Sequence, residues 1–162
     1  MIRFNTWDEI AIINQPTTVK EVETRLLDSS SSLFARKEFE KFCVTTIGGL
    51  PNDKMGADGG VDGRILLING EIALCSVKSG KVSVEQLRSL NGLITGKNVA
   101  GVFITKEPPT SAMITFANHA GLYFSPSDTL IPYEPFSRLQ ILTLDDMLRG
   151  KRPTLPMVTL SS

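Results

Sequence analysis

Histidine is almost missing from this chain: His119 is the only one in 162 residues. Lying in Ile114-Thr115-Phe116-Ala117-Asn118-His119, it reads as a helix-surface or packing residue, and no serine or cysteine triad is expected. Cysteine is nearly as scarce, with Cys43 and Cys75 in apolar stretches and no Cys or His nearby at metal-ligand spacing. Both read as buried free thiols, which leaves out a disulfide and a zinc site. No apolar run approaches the roughly 18 residues needed to cross a bilayer. The opening residues carry Asp8 and Glu9 where a secretory signal would have its apolar core. A cytoplasmic protein without membrane contact is the expectation. Net charge is also lacking, 17 basic residues meeting 17 acidic ones, so a globally basic nucleic-acid binder is excluded. Repeats and low-complexity tracts are absent.

What remains is the composition of an ordinary globular chain, 41% apolar and 21% charged. At this length a chain buries roughly two thirds of its unfolded surface, enough for one domain over residues 1–162. The zero net charge hides an asymmetry. Residues 1–62 hold 10 acidic and 7 basic side chains, whereas residues 63–162 hold 7 and 10. Phosphate contact would therefore come from a local patch, with Lys78, Lys81, Arg88 and Lys97 as candidates, and would be weak and salt-sensitive. Arg88 and Lys97 read equally well as ordinary solvated charges.

Along the chain, Met1 to Pro16 has no assignable place, and residues 1–32 form a variable N-terminal segment ahead of a core over 33–156. Thr18-Val19-Lys20-Glu21 has the form of a capping box opening a short helix that ends near Asp28. After the polar link Ser29 to Ser32, the helical stripe Leu33, Phe34, Phe39, Phe42 and Cys43 predicts a helix to about Thr45, ended by Gly48-Gly49. The glycine-rich stretch Pro51 to Gly63 reads as a loop that approaches something closely. Ser83-Val84-Glu85-Gln86 is a second capping box, opening a helix through about Ile94 that Gly96 closes. A strand over Val99 to Thr105, a helix over Ser111 to Ala120 ended by Gly121, a strand over Leu139 to Leu142 and a last helical turn capped by Thr143 complete an α/β pattern.

Between these lie Arg64-Ile65-Leu66-Leu67-Ile68, then Asn69-Gly70, then Glu71 to Lys78: a β-hairpin. Asp62 leads into its first strand and Lys78 ends its second. A carboxylate and an ammonium so placed are what a hydrolytic nuclease brings to one phosphodiester. Because side chains alternate along a strand, the turn decides whether they meet. A two-residue turn at Asn69-Gly70 would set Asp62 opposite Val77, on the wrong face. A three-residue loop Ile68-Asn69-Gly70, with Gly70 left-handed, would set Asp62 opposite Ser76 and beside Lys78. A bend at Gly63 is the alternative. A bulge at Gly70 or an irregularity at Gly63 is therefore expected, and a regular hairpin would defeat the pairing.

Asp58-Gly59-Gly60-Val61-Asp62-Gly63, the strand Leu74 to Lys78 with Ser79-Gly80-Lys81, Gly101-Val102-Phe103-Ile104-Thr105 and Leu139-Gln140-Ile141-Leu142-Thr143 together resemble the Mrr-like restriction endonuclease domains of the PD-(D/E)xK nuclease superfamily. The likeness is to the small domain found beside or fused to DNA methyltransferases, and it spans about Phe39 to Pro156. The resemblance implies a restriction-endonuclease-like α/β core: a mixed central sheet, a β-hairpin carrying the site, and helices on both faces. It implies Asp62 as a metal-ligating aspartate, Lys78 as the catalytic lysine, Glu40 as a supporting helix glutamate, Asp58 as an acidic neighbour, and the Val77 carbonyl as a further ligand. Ser76 stands where the family usually has Glu, Asp or Gln. The implied chemistry is phosphodiester hydrolysis with Mg²⁺ or Mn²⁺, DNA as the partner, Lys81 and Arg88 contacting it, a DNA methyltransferase as an associate, and a homodimer for cutting both strands. Other readings stay open: Asp58 and Asp62 as turn formers bonding their own backbone, Glu40 as a solvated helix residue, Lys78 as a snorkelling strand end. At the level of the whole chain, the alternatives are a degenerate nuclease fold that binds DNA or protein without efficient cleavage, and an unrelated α/β domain.

Overall fold

The structure is a computed structural model, and it describes residues 16–26, 33–52, 60–126 and 130–158. Helix α1 (Val19–Leu26) starts as the capping pattern requires: the Thr18 hydroxyl accepts from the Glu21 amide at 3.2 Å. The Glu21 carboxylate reaches back one residue further than expected, to the Thr17 amide at 3.1 Å. Its predicted end near Asp28, like the segment Met1 to Gln15 and Asp58, lies outside the described residues. Helix α2 (Leu33–Thr46) then buries Phe39, Cys43 and Val44. Gly48, at φ +85°, ends it.

Five strands follow in one mixed sheet, β1 (Leu50–Pro51), β2 (Gly63–Leu66), β3 (Ile72–Lys78), β4 (Ala100–Thr105) and β7 (Leu139–Thr143), which lie side by side in that order. The first three are antiparallel and the last three parallel. Helix α3 (Val84–Lys97) crosses from β3 to β4, and helix α4 (Ser111–His119) follows β4. A two-stranded ribbon, β5 (Leu122–Tyr123) with β6 (Phe136–Ser137), precedes β7, and helix α5 (Leu144–Leu148) follows it.

The two faces of the sheet carry separate cores. Ile65, Ala73, Cys75, Val77, Val102 and Ile104 pack under Val22, Phe39, Cys43 and Ile47, with Tyr123, Phe136 and Met147 at one side. Leu74, Phe103 and Leu139 pack on the other face under Leu87, Leu90, Ile94 and Met113. Helices therefore cover both faces of a mixed sheet. Burying a ring such as Phe39 or Phe103, both at 0% exposure, contributes on the order of 2–3 kcal/mol.

Two sequence expectations need correcting. Pro51 is not loop but the end of β1, paired with Gly63; proline is tolerated there because β1 is an edge strand. Gly96 does not close α3, which runs on to Lys97; Asn98 takes the left-handed conformation at φ 52°. The β5–β6 ribbon was not anticipated at all. The remaining caps hold. The Gln86 side chain accepts from the Ser83 amide at 3.1 Å, and Thr143 accepts from Asp146; Thr110, which the sequence did not mark as a cap, also accepts from Met113.

Candidate active site at the open end of the hairpin

The hairpin takes the three-residue form. Leu66 pairs with Ile72 and Gly63 with Cys75, and the Leu67 amide donates to the Glu71 carbonyl at 2.8 Å, which leaves Ile68-Asn69-Gly70 as the loop. Asn69 and Gly70 both lie in the left-handed region, at φ 65° and φ 76°. The paired register ends at Gly63 opposite Cys75, so the expected pairing of Asp62 with Ser76 is not formed.

The ladder also breaks where a break was expected. The Asp62 amide donates at 2.8 Å to the carbonyl of Cys75, the residue paired with Gly63, so the chain leaves the regular pattern at that point. The Val77 amide, which a longer β2 would have satisfied with a carbonyl, instead donates to Asp62 Oδ2 at 2.7 Å. An aspartate side chain thus finishes the ladder and is fixed by it. Asn52 steadies the same turn from β1, its backbone N–H donating to the Asp62 carbonyl and its side chain to the Val61 carbonyl. Gly63 allows this approach: a Cβ there would lie 2.5 Å from Val44 Cγ1 and 2.9 Å from the Leu50 carbonyl oxygen.

Beside Asp62, helix α2 contributes Glu40 and Lys37, which are ion-paired at 3.5 Å with side chains 24% and 13% exposed. The Asp62 carboxyl is pushed up to about 6, first by burial and then by the charge of Glu40; the Val77 hydrogen bond, Lys78 and Lys37 pull the other way. Both cysteines feel the same carboxylate. They are free and fully buried; Cys75 is pushed up to about 12 and Cys43 higher still, each chiefly by burial, so neither is a thiolate nucleophile at neutral pH.

Lys78 ends β3 opposite Thr105 of β4, and its carbonyl accepts from the Lys106 amide at 2.9 Å. It shares a cleft of about 120 Å³ with Ser76, Gly60, Gln86, Ser89, Leu90 and Leu93, on the α3 face of the sheet. Ser76 is 3% exposed and lies on the Lys78 face, as alternation requires. Lysine and serine thus look into the α3 cleft, while Asp62 sits at the sheet edge under the charges of α2. Lys78 stands at the carboxyl end of β3, the usual ligand end of an α/β sheet.

Lys81 is exposed next to this end. Arg88 is also exposed, but its guanidinium pairs with Glu85 at 2.6 Å and lies 5.7 Å from the Phe116 ring centre. His119 is exposed on α4, with Nδ1 2.8 Å from the Thr115 carbonyl oxygen. Among the described residues, no group of three or more His, Cys, Asp or Glu could hold a metal ion; the acids that meet are Asp62 and Glu40. Among the same residues, no helix is long and apolar enough to cross a membrane.

Sequence reasoning missed Lys37. Its signal was available, three residues before Glu40 and so on the same helical face.

No family model matches the chain, and no curated protein is significantly similar to it.

Proposed function

We propose that this chain is a Mg²⁺- or Mn²⁺-dependent DNA endonuclease with a restriction-endonuclease-like core of the Mrr type, working in the cytoplasm beside a DNA methyltransferase. The observation that carries the proposal is the placement of Asp62, held by the Val77 amide between the charges of Glu40 and Lys78 at the carboxyl end of the sheet. The donor set fits one hard divalent cation. Asp62 Oδ1 and Glu40 supply carboxylate oxygen, and the Val77 carbonyl points to the same edge as its N–H, because the two groups of one strand residue lie on one side. The proton affinity of Asp62 is raised chiefly by burial and further by the charge of Glu40.

When bound there, the cation would neutralise charge on a phosphodiester and acidify water. This chain's residues would do the rest. Asp62 and Glu40 would fix the ion's position, Asp62 with little freedom because its other oxygen is engaged by the backbone. Lys78, anchored through its carbonyl to β4, would hold its ammonium at a non-bridging phosphate oxygen, where charge grows in the transition state. Lys81 would meet a flanking phosphate and add to the salt dependence, and Arg88 would do so once released from Glu85. Two copies acting together would cut both strands.

The test is plasmid cleavage with Mg²⁺ or Mn²⁺, comparing the wild type with Asp62→Ala and Lys78→Ala. Loss of cleavage in both supports the site; cleavage indifferent to both rejects it.

One observation favours a second reading. Ser76 puts a neutral hydroxyl where a further carboxylate would strengthen cation binding, and among the described residues no third acid joins Asp62 and Glu40. A chain that binds DNA without cutting it would be a degenerate nuclease fold acting as a binding module. Activity gained by Ser76→Glu would identify the missing charge as the reason.

A further inference from the structure

We infer that Lys37 is a built-in counter-cation of the acidic pair, holding Glu40 in the metal-free protein and competing with the divalent ion for it; this rests on the metal-site reading above. Helix α2 provides its own control. It carries two Lys–Glu pairs three residues apart, and Lys41 with Glu38, at 3.8 Å, has side chains 39% and 40% exposed. That is the ordinary solvated pair, worth little. Lys37 with Glu40, at 3.5 Å, is only 13% and 24% exposed and faces Asp62.

Keeping an ammonium this far from water is unfavourable unless it answers negative charge. Two carboxylates provide that charge, and the lysine's charge acts on both: directly on Glu40, and through space on Asp62. With Lys78 beside them, two acidic groups face two ammonium groups, so the formal charges cancel. Such a site has no surplus negative potential for an incoming cation. A divalent ion held by Asp62 and Glu40 would compete with the Lys37 ammonium for the Glu40 carboxylate. The four-carbon stem gives the ammonium somewhere to go, outward past the helix, where a phosphate of bound DNA would accept it. Metal entry and phosphate capture would then favour one another, since each removes the other's competitor.

The experiment titrates Mn²⁺ into the protein at low ionic strength and follows the free-ion electron paramagnetic resonance signal, with no DNA present. Lys37→Met keeps most of the stem and removes the charge, and should tighten Mn²⁺ binding by about tenfold, the scale of one near-surface charge interaction. Lys37→Arg keeps the charge and should bind as the wild type does. In a Glu40→Gln background, Lys37→Met should change affinity by less than about twofold, because the shared partner is gone. Thermal melts without metal confirm that each variant folds.

Equal or weaker Mn²⁺ binding by folded Lys37→Met, while the wild type binds the ion, overturns the counter-cation and leaves the metal site standing. No Mn²⁺ binding by any variant, Lys37→Met included, overturns both.

Discussion

Glu71 and Asp62 each stand one residue before a strand of the same hairpin, at its opposite ends, and the fold treats them in opposite ways. Glu71, at the closed end, accepts hydrogen bonds from two tyrosine hydroxyls, Tyr123 and Tyr133, the latter at 2.8 Å to both oxygens. Nearby, the Asn69 side chain pairs with the backbone of Ile131, donating at 2.8 Å and accepting at 3.1 Å. The tyrosines keep their protons: Tyr123 is pushed up to about 12 and Tyr133 further, by burial and then by Glu71. Asp62, at the open end, has one backbone donor and a second carboxylate for a neighbour. A carboxylate saturated by neutral donors holds structure together, whereas one kept partly buried beside another acid is poised to take a cation or a proton.

The largest break in this comparison should appear in activity. Asp62→Ala or Lys78→Ala should lower DNA cleavage by about a thousandfold or more, the scale of removing one group that stabilises transition-state charge, while Glu71→Ala should leave the rate per folded molecule unchanged. Stability should sort them the other way. Glu71→Ala leaves two tyrosine hydroxyls without their acceptor and should cost about 2–3 kcal/mol in urea unfolding, with cleavage intact at permissive temperature.

The third difference is in pH. The Asp62 carboxyl binds its proton more tightly in the folded chain, at about 6, than at the ordinary value of 3.8. Its contribution to stability is therefore full below about pH 4 and lost as the pH rises through 6. In chelator, the wild type should lose on the order of 2 kcal/mol relative to Asp62→Asn across that window. A flat difference between the two would show that the carboxylate is already neutralised by its neighbours. The smallest effect should come from Tyr133→Phe, about 1 kcal/mol, because Glu71 keeps the Tyr123 hydroxyl.

The open end of the hairpin was the more legible one. Asn69-Gly70 set the turn, and residue counting required either three loop residues or a break at Gly63 to bring Asp62 to the face of Lys78; the structure has both, and Asp62 lies toward α2 while Lys78 lies in the α3 cleft. Its chemistry rests on neighbours that sequence reads well, a strand end and the residue before a strand. The closed end was unreadable for a physical reason: Glu71 meets Tyr123 and Tyr133 across 52 and 62 residues, and no periodicity reports contacts of that range. The β5–β6 ribbon was missed because two-residue strands carry too little alternation to register. Lys37 was missed differently. It looks like one more charge on a charged helix, and only burial separates it from Lys41.

Gly63 has no side chain to contribute to any of this, yet it governs how the site is gauged. With Val44 of α2 on one side and the Leu50 carbonyl of β1 on the other, residue 63 is the shim that determines how tightly the hairpin seats against the helix. Asp62 rides on the hairpin and Glu40 on the helix. A side chain at residue 63 would push against both Val44 and Leu50, and so would shift the hairpin that carries Asp62 against the helix that carries Glu40 without touching either carboxylate.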